Sequence, residues 1–98
     1  MALLIDPKAK TITEVEFDGT LESAYAYTGC NHVAVQRLDH GYGQLILDEE
    51  GMLKADSQPF TIMGKLFVGK TLVVGTRGWT SAPKLDLGLA CELVRFAP

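Results

Sequence analysis

The single tryptophan, Trp79, stands two residues after Arg77 in the segment "RGWTS". The pair suits an anion that carries a ring, because an indole face stacks on a base and a guanidinium forks onto phosphate or carboxylate. The surrounding charge agrees. No carboxylate occurs between Asp56 and Asp86, whereas Lys65, Lys70, Arg77 and Lys84 all fall in that interval. If the fold gathers them, they form a local anion site on a chain whose net charge is −3. The candidate ligand-binding residues are therefore Arg77, Trp79, Lys70, Lys65 and Lys84. The competing structural reading places the four cations on separate solvated turns and sets Trp79 over the core from a loop, with Arg77 stacked on it.

"GKLFVGKT", Gly64 to Thr71, matches the letters of the phosphate-binding loop of nucleotide hydrolases. That loop works through small residues whose backbone amides cradle phosphates and through a helix that begins at the lysine. Here the interior is Leu66-Phe67-Val68, and the continuation "TLVVGTRG" is β-branched and broken by glycines. The expectation is two glycines at turns flanking a strand, lysines outward, and no hydrolysis of ATP or GTP. Cys30, His32, His40 and Cys91 contain the atoms for a zinc site, but their spacing is irregular and neither cysteine has a close partner. Buried thiols and surface or capping histidines are expected instead, with no metal and no cofactor. Asp48-Glu49-Glu50-Gly51 reads as an exposed turn rather than a cation cluster. No acid, base and nucleophile set is recognisable, so no catalytic residue is assigned and a small hydrolase ranks last among the functions considered.

The elements that must position these residues follow from periodicity. "ALLID" is a strand closed by Asp6-Pro7, and an interrupted alternation through Ile12, Val15 and Phe17 makes its hairpin partner. Asp18-Gly19-Thr20 opens a helix of about two turns, capped by Thr20 or Asp18, with Leu21, Ala24, Tyr25 and Thr28 on one face and Gly29 as the stop. "HVAVQRL" and "QLILD" form a second hairpin across a turn-rich Asp39–Gly43 segment. "MLKADSQP" reads as a loop or short irregular strand, "FTIM" and "KTLVVG" as strands, and "TRGWTSAPK" as irregular. The tail is expected to give a strand at Lys84 to Leu87 and a short final helix. The whole is an α+β domain, a mainly antiparallel sheet of about six strands with one or two short helices.

Ninety-eight residues make one domain, and 47% apolar with 21% charged residues is the balance of a folded globular chain. The apolar runs are too short to span a bilayer, and "MALLIDP" lacks the basic flank of a signal peptide, so a cytoplasmic protein without a membrane partner is expected. Residues 1–49 carry three basic and eight acidic side chains, a balance of −5, and residues 50–98 carry six and four, a balance of +2. Such a chain lacks the broad basic face that duplex nucleic acid requires. Apolar strand residues in so short a chain leave a sheet edge or face to cover, so a homo-oligomer, most simply a symmetric dimer, is expected.

The order of segments, from "ALLIDP" and "KTITEVEFDG" through "DEEGMLK" to a late "GKTLVVGT", resembles a domain-of-unknown-function family found mainly in bacteriophages, plasmids and phage-rich genomes. The resemblance covers most of residues 2 to 76 and fades after Gly75. It implies an accessory protein of a mobile element, some of which oppose host defences, and it transfers no functional residue. The "TRGWTSAPK" loop does not fit the pattern, which makes it the natural place for a specific function. Three functions are expected in descending order. The first is a non-enzymatic binding protein that counters a host defence by sequestering a small anionic, nucleotide-like ligand. The second is an anti-CRISPR-like inhibitor that binds a host defence protein directly, and the third is the small hydrolase.

Overall fold

The computed structural model describes residues 1–51 and 58–97. The "MLKADSQP" expectation lies mostly outside the described residues. Among the described residues there are eight strands: β1 (Ala2–Asp6), β2 (Thr11–Val15), β3 (Val33–Arg37), β4 (Gln44–Asp48), β5 (Pro59–Ile62), β6 (Lys65–Val68), β7 (Thr71–Val74) and β8 (Val94–Phe96). Two helices, α1 (Leu21–Thr28) and α2 (Leu87–Leu93), complete the α+β fold. The α+β, mainly antiparallel fold is as expected, with its strands divided between two sheets. One has five strands in the order β2-β1-β7-β4-β3, the other three in the order β6-β5-β8, and every pairing is antiparallel.

Side chains alternate across a strand, so the five-stranded sheet sorts its apolar residues onto two faces. Leu3, Ile5, Leu45 and Val73 pack with Phe60, Ile62 and Val94 of the smaller sheet and with Leu85 and Ala90. On the opposite face, Ala2, Ile46, Leu72 and Val74 pack with Ala24 of α1. The molecule is thus layered: α1, the large sheet, then the small sheet with α2. β7 lies at the centre and is buried along its whole length on both faces. That explains why "LVV" is an unbroken apolar run with no alternation.

The ends of α1 follow the sequence closely. Thr20 Oγ1 accepts the Ser23 N–H at 3.2 Å, and Gly29 adopts φ 71° and donates its N–H to Tyr25 O at 2.8 Å. Asp18 accepts the backbone N–H and the hydroxyl of Thr20 at 2.9 and 2.8 Å, and this hydrogen bonding holds its carboxyl below the usual range. Of the face expected to carry Leu21, Ala24, Tyr25 and Thr28, the small residues Ala24 and Thr28 are buried and Leu21 is 51% exposed.

The C-terminal region departs from expectation. Lys84–Leu87 is not a strand; the leucine alternation there is misleading, since Leu85 alone is fully buried and its N–H donates to Tyr42 O at 3.0 Å. Asp86 then caps α2, accepting the Leu89 N–H at 2.8 Å. The final helix forms as expected, but an unexpected strand, β8, follows it and pairs with β5. No helix among the described residues is long and apolar enough to cross a membrane.

Candidate functional site

The segment between β7 and α2 is irregular yet closely braced. At the end of β7, Gly75 donates its N–H to Ser81 O at 2.9 Å and its carbonyl accepts the Gln44 side-chain amide at 2.9 Å. Ser81 donates its N–H and its hydroxyl to Gly78 O at 3.1 and 2.6 Å. Residues 75–81 therefore close on themselves without a ladder. The closure requires glycine at 75. A Cβ there would lie 2.6 Å from Ala82 O and collide with the Ser81 hydroxyl.

This loop holds Trp79 and Arg77 apart. Trp79 is half-buried and packs on the α1-side core, its ring 6.1 Å from that of Phe17 at an interplanar angle of 33°. Phe17 meets Tyr27 edge-on at 6.3 Å, and the Tyr27 hydroxyl donates to Glu16 O at 2.7 Å, so three aromatic rings close one end of that core. Arg77, by contrast, is exposed. It lines an open groove of about 240 Å³ with Gly41, Thr76, Ser81, Ala82 and Lys84.

The structure therefore brings together two of the five residues that the sequence nominates, Arg77 and Lys84, and leaves Trp79 outside their groove. Lys65 lies at the start of β6, with Nζ 3.6 Å from the Asp39 carboxylate, two residues before the groove residue Gly41. Lys70 sits at the opposite end of β7 from Arg77, separated by about 13 Å of strand. The phosphate-loop letters acquire a different structure. Gly64 lies in the β5–β6 turn, Leu66-Phe67-Val68 belong to β6, and Thr71 begins β7 rather than a helix. Thr71 is buried, and its hydroxyl donates to Gly69 O at 3.1 Å.

The groove's lining residues include two cations, Arg77 and Lys84, and no carboxylate. Thr76, Ser81 and Gly41 also form its walls. Thr76 and Ser81 were legible as polar neighbours of Arg77, but Gly41 arrives from the β3–β4 connection, which local sequence does not reveal. The four Cys and His candidates do not converge. Cys30 is buried against the Thr28 hydroxyl, 3.1 Å away, and its thiol donates to His32 O at 3.4 Å, whereas Cys91 is exposed on α2. No group of three or more His, Cys, Asp or Glu side chains suited to a metal ion occurs among the described residues. At the acidic turn, Asp48 accepts the Glu50 N–H at 2.9 Å, the bond that shapes such turns.

The chain belongs to the family described as Domain of unknown function (DUF3846), which matches residues 1–88. The match runs past Gly75, where the resemblance in sequence fades, and takes in the whole 75–84 loop. No curated protein and no solved structure matches the chain.

Proposed function

We propose that this chain is a binding protein of phage or mobile-element origin, and that it opposes a host defence by holding a small anionic, nucleotide-like ligand at Arg77 and Lys84. The observation that supports the reading is that Arg77 and Lys84 both line one groove whose lining residues include no acid. Arginine offers a two-pronged donor to phosphate and lysine a point charge, so together they neutralise a phosphate dianion. The groove volume of about 240 Å³ lies just below the usual range for whole ligands, roughly 300 Å³ and above, so it suits a phosphate-sized group with the rest of the ligand lying outside. The mobile-element context rests on the resemblance of residues 2 to 76.

Mass spectrometry of the native protein from cells tests for a retained anion, and calorimetric titration with inorganic phosphate and adenosine monophosphate tests the groove. Arg77→Ala is expected to weaken the binding of either probe by about tenfold or more, equivalent to one charge-assisted hydrogen bond, while leaving the thermal melt unchanged. Equal affinities in the native chain and an Arg77→Ala, Lys84→Ala double variant would exclude the groove as the site.

A further inference from the structure

We infer that the open edge of β3 is a dimerisation edge, at which a second copy of this chain adds its own β3 antiparallel about a two-fold axis through Val35. Among the described residues, β3 ends the five-stranded sheet and pairs with β4 alone. The direction of its free backbone groups follows from the bonds at its two ends. Glu49 N–H donates to His32 O and Leu38 N–H donates to Gly43 O, both at 3.0 Å. In an antiparallel ladder, hydrogen-bonded and non-hydrogen-bonded pairs alternate. His32, Ala34, Gln36 and Leu38 therefore direct their backbone groups toward β4, and Val33, Val35 and Arg37 direct theirs outward.

Those three residues form a set symmetric about Val35. A two-fold axis there pairs Val33 with Arg37 of the second copy, Val35 with Val35, and Arg37 with Val33, and every outward N–H and C=O finds a partner. Charge selects the same register. Arg37 is the strand's only charged residue, and this pairing sets each guanidinium opposite a valine, with the two arginine positions about 13 Å apart along the ribbon, beyond the Debye length of roughly 8 Å. A slip of the axis toward Arg37 brings the arginines together, and a slip toward Val33 leaves the Arg37 backbone groups unpaired. Val35, 46% exposed, would meet its own copy at the axis.

The other edges are less suited. β2 carries the exposed acids Glu14 and, just beyond it, Glu16. β6 has four residues and opens on Lys65, which pairs with Asp39. β8 has three residues, and its Arg95 guanidinium bonds to the carbonyls of Glu92 and Val94. β3 lacks proline and lysine, two devices by which edges avoid pairing. A five-residue ribbon is small beside the roughly 1,200 Å² at which stable interfaces begin, so the dimer should depend on concentration.

Sedimentation equilibrium from about 1 to 500 μM reads the association. A monomer–dimer equilibrium is expected, with Val35→Lys raising the dimer Kd by about tenfold or more at an unchanged melting temperature. A second readout, in a Cys91→Ser background, holds even if that variant fails to fold. Val35→Cys should cross-link the dimer on oxidation, since paired Cα atoms about 5.5 Å apart suit a disulfide, whereas Ala34→Cys should not. A monomer throughout the range, a dimer indifferent to Val35→Lys, or cross-linking through Ala34→Cys instead would each overturn the inference.

Discussion

Two glycine-bounded segments flank β7, and they use glycine for opposite reasons. Before the strand, Gly64 and Gly69 adopt φ 81° and 83° in open space, where an added Cβ would meet nothing within 4 Å. They turn the chain, so β6 pairs with β5 and then hands over to the large sheet. After the strand, Gly75 is buried and lets the loop close onto it. The first segment bears the letters of a phosphate-binding motif and none of its geometry; the second bears no motif and forms a groove with two cations. A string of letters does not specify where the backbone places two cations beside one groove.

The sharpest way to test the contrast is at Trp79, which ties the second segment to the α1-side core. Trp79→Ala is expected to destabilise the protein by about 3 kcal/mol, the low end for a large aromatic because the ring is only half-buried. Urea unfolding measures it. A loss below about 1 kcal/mol, in the range of an ordinary surface substitution, would mean that the loop is not anchored by its tryptophan.

The glycines give the next largest effects. Gly75→Ala forces the loop apart and should cost about 2 kcal/mol, in the range of overpacking. Gly64→Ala keeps its space but holds alanine in a left-handed conformation, for about 1 kcal/mol. If Gly64→Ala proved the costlier of the two, the division between a close-approach glycine and a turn glycine would be wrong.

The same contrast explains what was legible in the sequence. α1 could be read because its cap Thr20 and its stop Gly29 are local, and β7 because a strand buried on both faces is a continuous apolar run. The separation of β5, β6 and β8 into a second sheet could not be read, since β8 pairs with β5 across more than thirty residues of chain and no local pattern encodes that partner. At the tail, Leu85 and Leu87 mimic strand alternation, while the better signal was Asp86, a helix-capping residue placed just before the final helix. Trp79 and Arg77 were read as one site because they are close in sequence. The loop turns between them at Gly78, φ 131°, so that Trp79 packs on the core while Arg77 lines the groove.

The smallest expected change in stability gives the cleanest test of the comparison. Lys70 and Lys84 are both exposed lysines, one on each side of β7. Replacing either with alanine should alter stability by no more than about 0.5 kcal/mol, as for most surface positions. Their effects on phosphate binding should differ. Lys84 lines the groove with Arg77, so Lys84→Ala should weaken phosphate binding several-fold at low salt, with the difference shrinking as added salt screens the remaining charge. Lys70 lies at the far end of β7, about 13 Å away along the strand and beyond the roughly 8 Å over which physiological salt lets charges act, so Lys70→Ala should leave affinity unchanged. Calorimetric titration of the two variants at low and physiological salt measures both effects. Equal losses would mean that phosphate senses only the overall charge of the chain, whereas a loss confined to Lys70→Ala would return the anion site to the segment before β7.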